Sequence, residues 1–173
     1  MKSVIDTSAL ISLARIAYLE LLPLLRADVS ISSEIYEEAV IKGEEKGFAD
    51  ATVIKSFLEK HRIQVVRVRN ESLTALRKKL RKILTKGDEA VLALAMQERV
   101  REIIADDDGL GRIAMALGFD VKATPDLLME GLKKDRLSVR DVETFLRELV
   151  VENRLSSAVA ELYILESQRD VKG

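Results

Sequence analysis

Carboxylates stand at four separated points of this chain, each where the residue pattern changes: Asp6, Glu38, Asp88 and the run Asp106-Asp107-Asp108. Val4-Ile5 leads into Asp6, and two hydroxyls, Thr7 and Ser8, follow before an apolar pattern at helical spacing. That predicts a buried strand ending at Asp6, with Ser8 capping a helix that starts at Ala9. Ile103-Ile104-Ala105 runs into the triple Asp in the same way, and Gly87-Asp88 stands ahead of an apolar helix. Glu38 lies about one turn into the helix after a second strand. In a parallel α/β sheet these points share the edge where ligands gather, so four carboxylates could meet there. Anions packed together raise one another's pKa, a cost that a divalent cation reverses. Two such ions can activate water and steady the leaving oxygen of a phosphodiester. The chain has no cysteine and one histidine, His61, so the side-chain ligands would be mainly oxygens, which points to Mg²⁺ or Mn²⁺.

Each acid also fits a plainer role. Asp6 suits a turn cap, Asp88 a helix N-cap, and Asp108 the cap of the next helix, which would leave Asp106 and Asp107 for the site. Glu38 beside Glu37 fits a solvated face. The shared position of the set carries the chemical reading, with the triple Asp its strongest member. His61, just before a strand and without a nearby acidic partner, is expected at the surface or a boundary.

The elements that would position these groups alternate. Short helices are expected at 9–16 and 19–25, the second tolerating Pro23 only at a turn or kink. A strand at 28–31 precedes a helix from Ser33 with Ile35, Ala39 and Tyr36 inward, interrupted at Gly43 and Gly47 and resumed over 49–59. Strands at 63–68, 103–105 and 119–122 follow. Between them lie a basic helix (Arg77, Lys78, Lys79, Arg81, Lys82) with Leu73, Leu76, Leu80, Ile83 and Leu84 on its inner face, and a buried helix over 90–96. Gly109 and Gly111 should loosen the turn before a helix at 113–117, and Pro125 opens another to Leu132. From Ser138, which makes a capping pattern with Asp141, the chain reads as helical, with Leu155, Val159, Leu162 and Leu165 as a second apolar stripe. The whole is an α/β chain with a central parallel sheet.

Composition narrows the function. The 173 residues suit one domain, 33% charged and 47% hydrophobic. A net charge of −1 gives no global basic field, and 4% aromatics leave few base-stacking candidates. Without cysteine there is no disulfide, zinc-thiolate site or thiol catalysis. No segment has the apolar length of a membrane span and no signal leader is seen, so a cytoplasmic location is expected.

Together these motifs resemble the PIN-domain nucleases, especially the compact prokaryotic branch related to VapC-type toxins. Val4-Ile5-Asp6-Thr7-Ser8 is similar to their opening strand, acid and hydroxyl. Ser32 to Val40 resembles the segment that carries the family's glutamate, here Glu38, and Gly87-Asp88-Glu89-Ala90 resembles the third acidic site. Ile103 to Asp107, followed by Arg112, Ala114 and Gly118, resembles the fourth, with Asp107 best matched and Asp106 retained beside it. The resemblance covers residues 1–132, read as a PIN-like three-layer α/β/α domain, with 133–173 as a helical extension packed on it.

It implies a divalent-metal-dependent endoribonuclease. Asp6, Glu38, Asp88 and Asp107 would be catalytic and would hold Mg²⁺ or Mn²⁺ together with Asp106. Thr7 or Ser8 would hydrogen-bond an acid or a metal water. Arg112 is the first candidate for substrate phosphate and the Arg77–Lys82 cluster the second, the latter also fitting a solvated helix face. RNA is the implied substrate, a homodimer the expected assembly, and a toxin held by an antitoxin protein a candidate role. The alternative is a catalytically silent RNA- or protein-binding module. A haloacid-dehalogenase-like phosphatase would need a second Asp where Ser8 stands.

Overall fold

The computed structural model describes residues 2–170, the side chain of Asp170 excepted. Among these, β1 (Lys2–Ile5), β2 (Asp28–Ser32), β3 (Gln64–Val66), β4 (Glu102–Ile104) and β5 (Asp120–Lys122) form one parallel sheet in the order β3-β2-β1-β4-β5. Val4 pairs with Ser30 on one side and Ile103 on the other. Val4, Ile5, Ile103 and Ile104 are fully buried, because β1 and β4 are covered on both faces and read as continuous apolar runs.

The chain leaves β1 toward β2 and β3, then returns across the sheet to β4 and β5. The direction of winding therefore reverses between β1 and β4. The carboxyl ends of those two strands flank the crevice that such a reversal opens in a doubly wound sheet. Asp6 follows β1 and Asp106-Asp107 follow β4, so sequence order alone brings two of the four acidic points to this crevice.

The helices are α1 (Thr7–Arg15), α2 (Leu21–Leu25), α3 (Ser33–Tyr36), α4 (Lys42–Glu45), α5 (Ala49–Lys60), α6 (Asn70–Lys79), α7 (Lys86–Gln97), α8 (Asp108–Ala116), α9 (Thr124–Lys133), α10 (Val139–Val151) and α11 (Ser157–Asp170). A π-helical turn, Glu37–Ile41, joins α3 to α4. On one face α7 packs against β1, β2 and β4 with six successive buried residues, Ala90 to Ala95, and α6 packs on α7. On the other, α2 meets β2, α1 and α2 pack against α9, and α10 and α11 pack on α9 and on each other.

Several boundaries differ from the sequence expectation. Asp6, not Ser8, caps the first helix, which begins at Thr7. Gly43 does not break its helix: a Cβ there would lie 2.6 Å from Ala51 Cβ, so glycine permits the close approach of α4 to α5. Gly109 and Gly111 likewise lie inside α8. The basic helix stops at Lys79, leaving Arg81 and Lys82 in a loop whose Ile83 is 94% exposed rather than inward. The tail stripe is rotated too: Ala160, Ile164 and Ser167 are buried, whereas Leu162 and Leu165 are exposed. His61 has an acidic partner after all, its Nε2 lying 2.9 Å from Glu20 Oε2.

Candidate active site

The acidic edge is built around Ser8. Asp6 has extended backbone and accepts from the Ser8 N–H at 3.1 Å and from Ser8 Oγ at 2.5 Å, so its carboxylate caps α1. The same Ser8 Oγ accepts the Asp106 N–H at 3.0 Å. One hydroxyl thus ties the end of β1 to the end of β4. Asp106 itself turns toward α9: Oδ1 accepts the Thr124 N–H at 2.6 Å and Oδ2 accepts Thr124 Oγ1 at 2.8 Å. Asp107 caps α8 through Oδ1, which accepts the Leu110 N–H at 2.7 Å. Asp108, the cap expected as one alternative, is instead the first residue of that helix.

Asp88 is not a cap either. Thr85 takes that position, its Oγ1 accepting the Asp88 N–H at 3.1 Å, and the Asp88 carboxylate is left half-buried at the start of α7. Glu38 arrives from the π-helical turn, a distortion common at functional sites. It lies against Gly87, where a Cβ would stand 2.9 Å from Glu38 Oε2. Gly87→Ala is accordingly expected to displace the Glu38 carboxylate while leaving the melting temperature close to native, because the clash meets the end of a flexible side chain. Metal titration and cleavage assays on the folded variant check this.

The electrostatics join these groups into one field. Burial, first of all, raises the pKa of Asp6; its Ser8 hydrogen bonds oppose this, and Asp107 adds to it. Glu38 is raised by burial and then by Asp6 and Asp88. Asp88 is raised by burial, pulled back by Thr85, and raised again by Asp6 and Asp107. Burial and then Asp126 raise the Tyr163 pKa, with Asp106 adding a smaller part. Thr7 Oγ1 is buried without a hydrogen-bond partner among the described residues, although it draws the Glu38 pKa slightly downward. Among the described residues no three acidic or histidine side chains stand close enough to hold one ion as placed. Four mutually repelling hard-oxygen groups beside an unpartnered buried hydroxyl nevertheless fit a divalent cation by donor chemistry.

Two further surfaces border the acids. A cleft of about 450 Å³ is lined by Asp106, Asp107, Arg112 and Asp126, with Arg112 exposed on α8. A cleft of about 590 Å³ lies between α6 and α7, lined by Arg77, Arg81, Lys82, Lys86 and Glu89. Arg77 is engaged there by Glu89 at 2.7 Å, whereas Lys82 is near enough to Asp88 to lower its pKa. Sequence reading did not find Thr124 or the double role of Ser8, since neither has a local pattern to mark it.

Residues 2–167 match a family described as a PIN domain (DUF3368), and the chain belongs to that family. The match includes α10 and most of α11. No curated protein and no solved structure matches the chain significantly. PIN domains are generally nucleases and typically use divalent metals. No described helix is long and apolar enough to cross a membrane.

Proposed function

We propose that the chain is a divalent-metal-dependent endoribonuclease. The observation that carries the reading is the shared electrostatic field of Asp6, Glu38, Asp88 and Asp107 around the β1/β4 crevice of a PIN domain. These four would hold Mg²⁺ or Mn²⁺, which supplies the charge that activates water and stabilises the oxyanion developing at phosphorus. Ser8 orients Asp6 and fixes the Asp106 backbone, while Asp106, engaged by Thr124, sets the position of Asp107. Thr7 offers its hydroxyl to the site beside Glu38. Arg112 on one side and the Arg81, Lys82 and Lys86 cleft on the other supply cations for phosphates flanking the scissile bond. The resemblance to VapC-type toxins extends the proposal to a cytoplasmic homodimer held inactive by a small antitoxin protein.

The basic cleft of Arg81, Lys82 and Lys86 also suits a second reading, a catalytically silent RNA-binding module. A mixed pool of structured RNA separates the two. Cleavage should appear with Mn²⁺ and cease with chelator. The double substitution Arg81→Gln, Lys82→Gln should weaken RNA binding several-fold and flatten its salt dependence by a slope of roughly 1.5–2, since two cations are removed. Metal-independent cleavage would remove the metal mechanism, and RNA binding without cleavage in any divalent metal would establish the silent module.

A further inference from the structure

Arg154 lies between α10 and α11, 146 residues along the chain from Ser8, yet its guanidinium grips the first turns of α1. Its Nη2 donates to the Ser8 carbonyl at 2.8 Å, and its Nε donates to Ser12 Oγ at 2.9 Å. Ser12 Oγ donates in turn to that same carbonyl at 3.0 Å, closing a triangle of hydrogen bonds. Ser12 is fully buried and Arg154 half-buried, so the triangle is partly shielded from water. Among the described residues Arg154 forms no ion pair, although its neighbour on the hairpin, Arg147, pairs with Glu143 and Glu161.

Ser8 therefore faces two ways. Its carbonyl receives the hairpin, and its hydroxyl joins Asp6 to the Asp106 backbone. The hairpin does not need Arg154 for its own attachment, since Val142, Leu146, Leu149, Ala160 and Ile164 are already buried. A planar, always-charged fork that donates two charge-assisted bonds both holds the turn and fixes its direction.

We infer that Arg154 is a positioning residue of the acidic site, holding the first turn of α1 so that the Ser8 hydroxyl keeps the ends of β1 and β4 in register. The chemistry it serves rests on the nuclease reading; the geometry does not. It makes α10–α11 part of the site.

The test compares Arg154→Met and Arg154→Lys in the full chain, with Arg147→Met as a hairpin control. In metal-free Arg154→Met the Ser8 and Asp106 amides, which donate to Asp6 and Ser8, should exchange with solvent at least about ten-fold faster, while that of Leu13 in the body of α1 keeps its protection. Mn²⁺ affinity, read by electron paramagnetic resonance, should fall about 10–100-fold. Turnover should fall with KM unchanged, and Arg154→Lys should restore part of each effect. Unchanged exchange at Ser8 and Asp106 in folded Arg154→Met, or equal changes in Arg147→Met, would overturn the inference. If Arg154→Met does not fold, Arg154→Lys decides by the same amides. A native chain that neither binds Mn²⁺ nor cuts RNA would end the nuclease reading, while the exchange result would still decide the role of Arg154.

Discussion

Asp6→Asn is expected to lower metal-dependent cleavage by at least about 100-fold and, in the absence of metal, to make the protein more stable rather than less. The cap on α1 survives, because the asparagine oxygen can accept the Ser8 N–H and hydroxyl as Asp6 does. What disappears is a buried charge. The folded pKa of Asp6 is raised above its ordinary value of 3.8, chiefly by burial. Ionisation is thus harder in the folded than in the unfolded chain. The native protein carries no such penalty below about pH 3.8, gains it as pH rises toward the folded pKa, and keeps it in full above. Metal-free native and Asp6→Asn proteins should therefore converge in stability at low pH and separate at neutral pH, with the variant higher. Adding Mn²⁺ reverses the order. At 100 times the dissociation constant it should raise the native melting temperature by roughly 5–11 °C, from about 2.7 kcal/mol of binding linkage, and leave the variant nearly unmoved. Thermal melts across pH, with and without Mn²⁺, read both signs. A variant less stable than the native chain at neutral pH would show that Asp6 is held for its cap and not for its charge.

The same residue shows how far sequence reading reached. An apolar run ending in an acid is a local signal, and β1 and β4 are buried on both faces, so their ends were readable as Asp6 and Asp106-Asp107. Parallel strand order then puts these ends on one edge. The cap assignments at this edge shifted: Asp6 for Ser8, Thr85 for Asp88, Asp107 for Asp108. Any short polar residue suits a cap, and local pattern does not choose among adjacent ones. Gly43 misled because glycine marks both a turn and a close helix contact, and only Ala51, supplied by another helix, distinguishes the two. The bonds from Thr124 to Asp106 and from Arg154 to Ser8 join residues 18 and 146 apart. Neither helical nor strand periodicity extends to such pairs, so what orients the acids was hidden even where the acids themselves were not.

Arg26→Met is expected to cost about 3–5 kcal/mol, lowering the melting temperature by roughly 6–20 °C, without touching turnover per folded molecule. Arg26 precedes β2 and its side chain is 1% exposed. Its Nε and Nη2 donate to the two oxygens of Glu102, at the start of β4, at 2.5 and 2.9 Å. Nη1 and Nη2 reach Glu130 on α9 at 2.8 and 2.7 Å, and the Ser3 hydroxyl closes on Glu102 at 2.5 Å. Every partner sits at or beside the amino ends of the strands, opposite the acidic crevice, so this network ties sheet to helix layer and does no chemistry. Burial alone would lower the Arg26 pKa, and the hydrogen bonds to Glu130 and Glu102 overcome it. Arg26 in return holds Glu130 down to about 2. For a depressed carboxylate the stabilisation is present above the unfolded value of 4.5 and is lost as pH falls through about 2, so the native protein should lose stability over that interval and Arg26→Met much less. Removing the cation strands Glu102 as a buried charge, with Ser3 its one remaining hydrogen-bond partner among the described residues. The double variant Arg26→Met, Glu102→Gln should therefore recover a substantial part of the loss, because the amide keeps a hydrogen bond to Ser3 and carries no charge. Denaturant unfolding of native, single and double variants measures the coupling. A single variant that loses less than about 1 kcal/mol would mean that water reaches Glu102, and that the sheet's amino edge is held by packing alone.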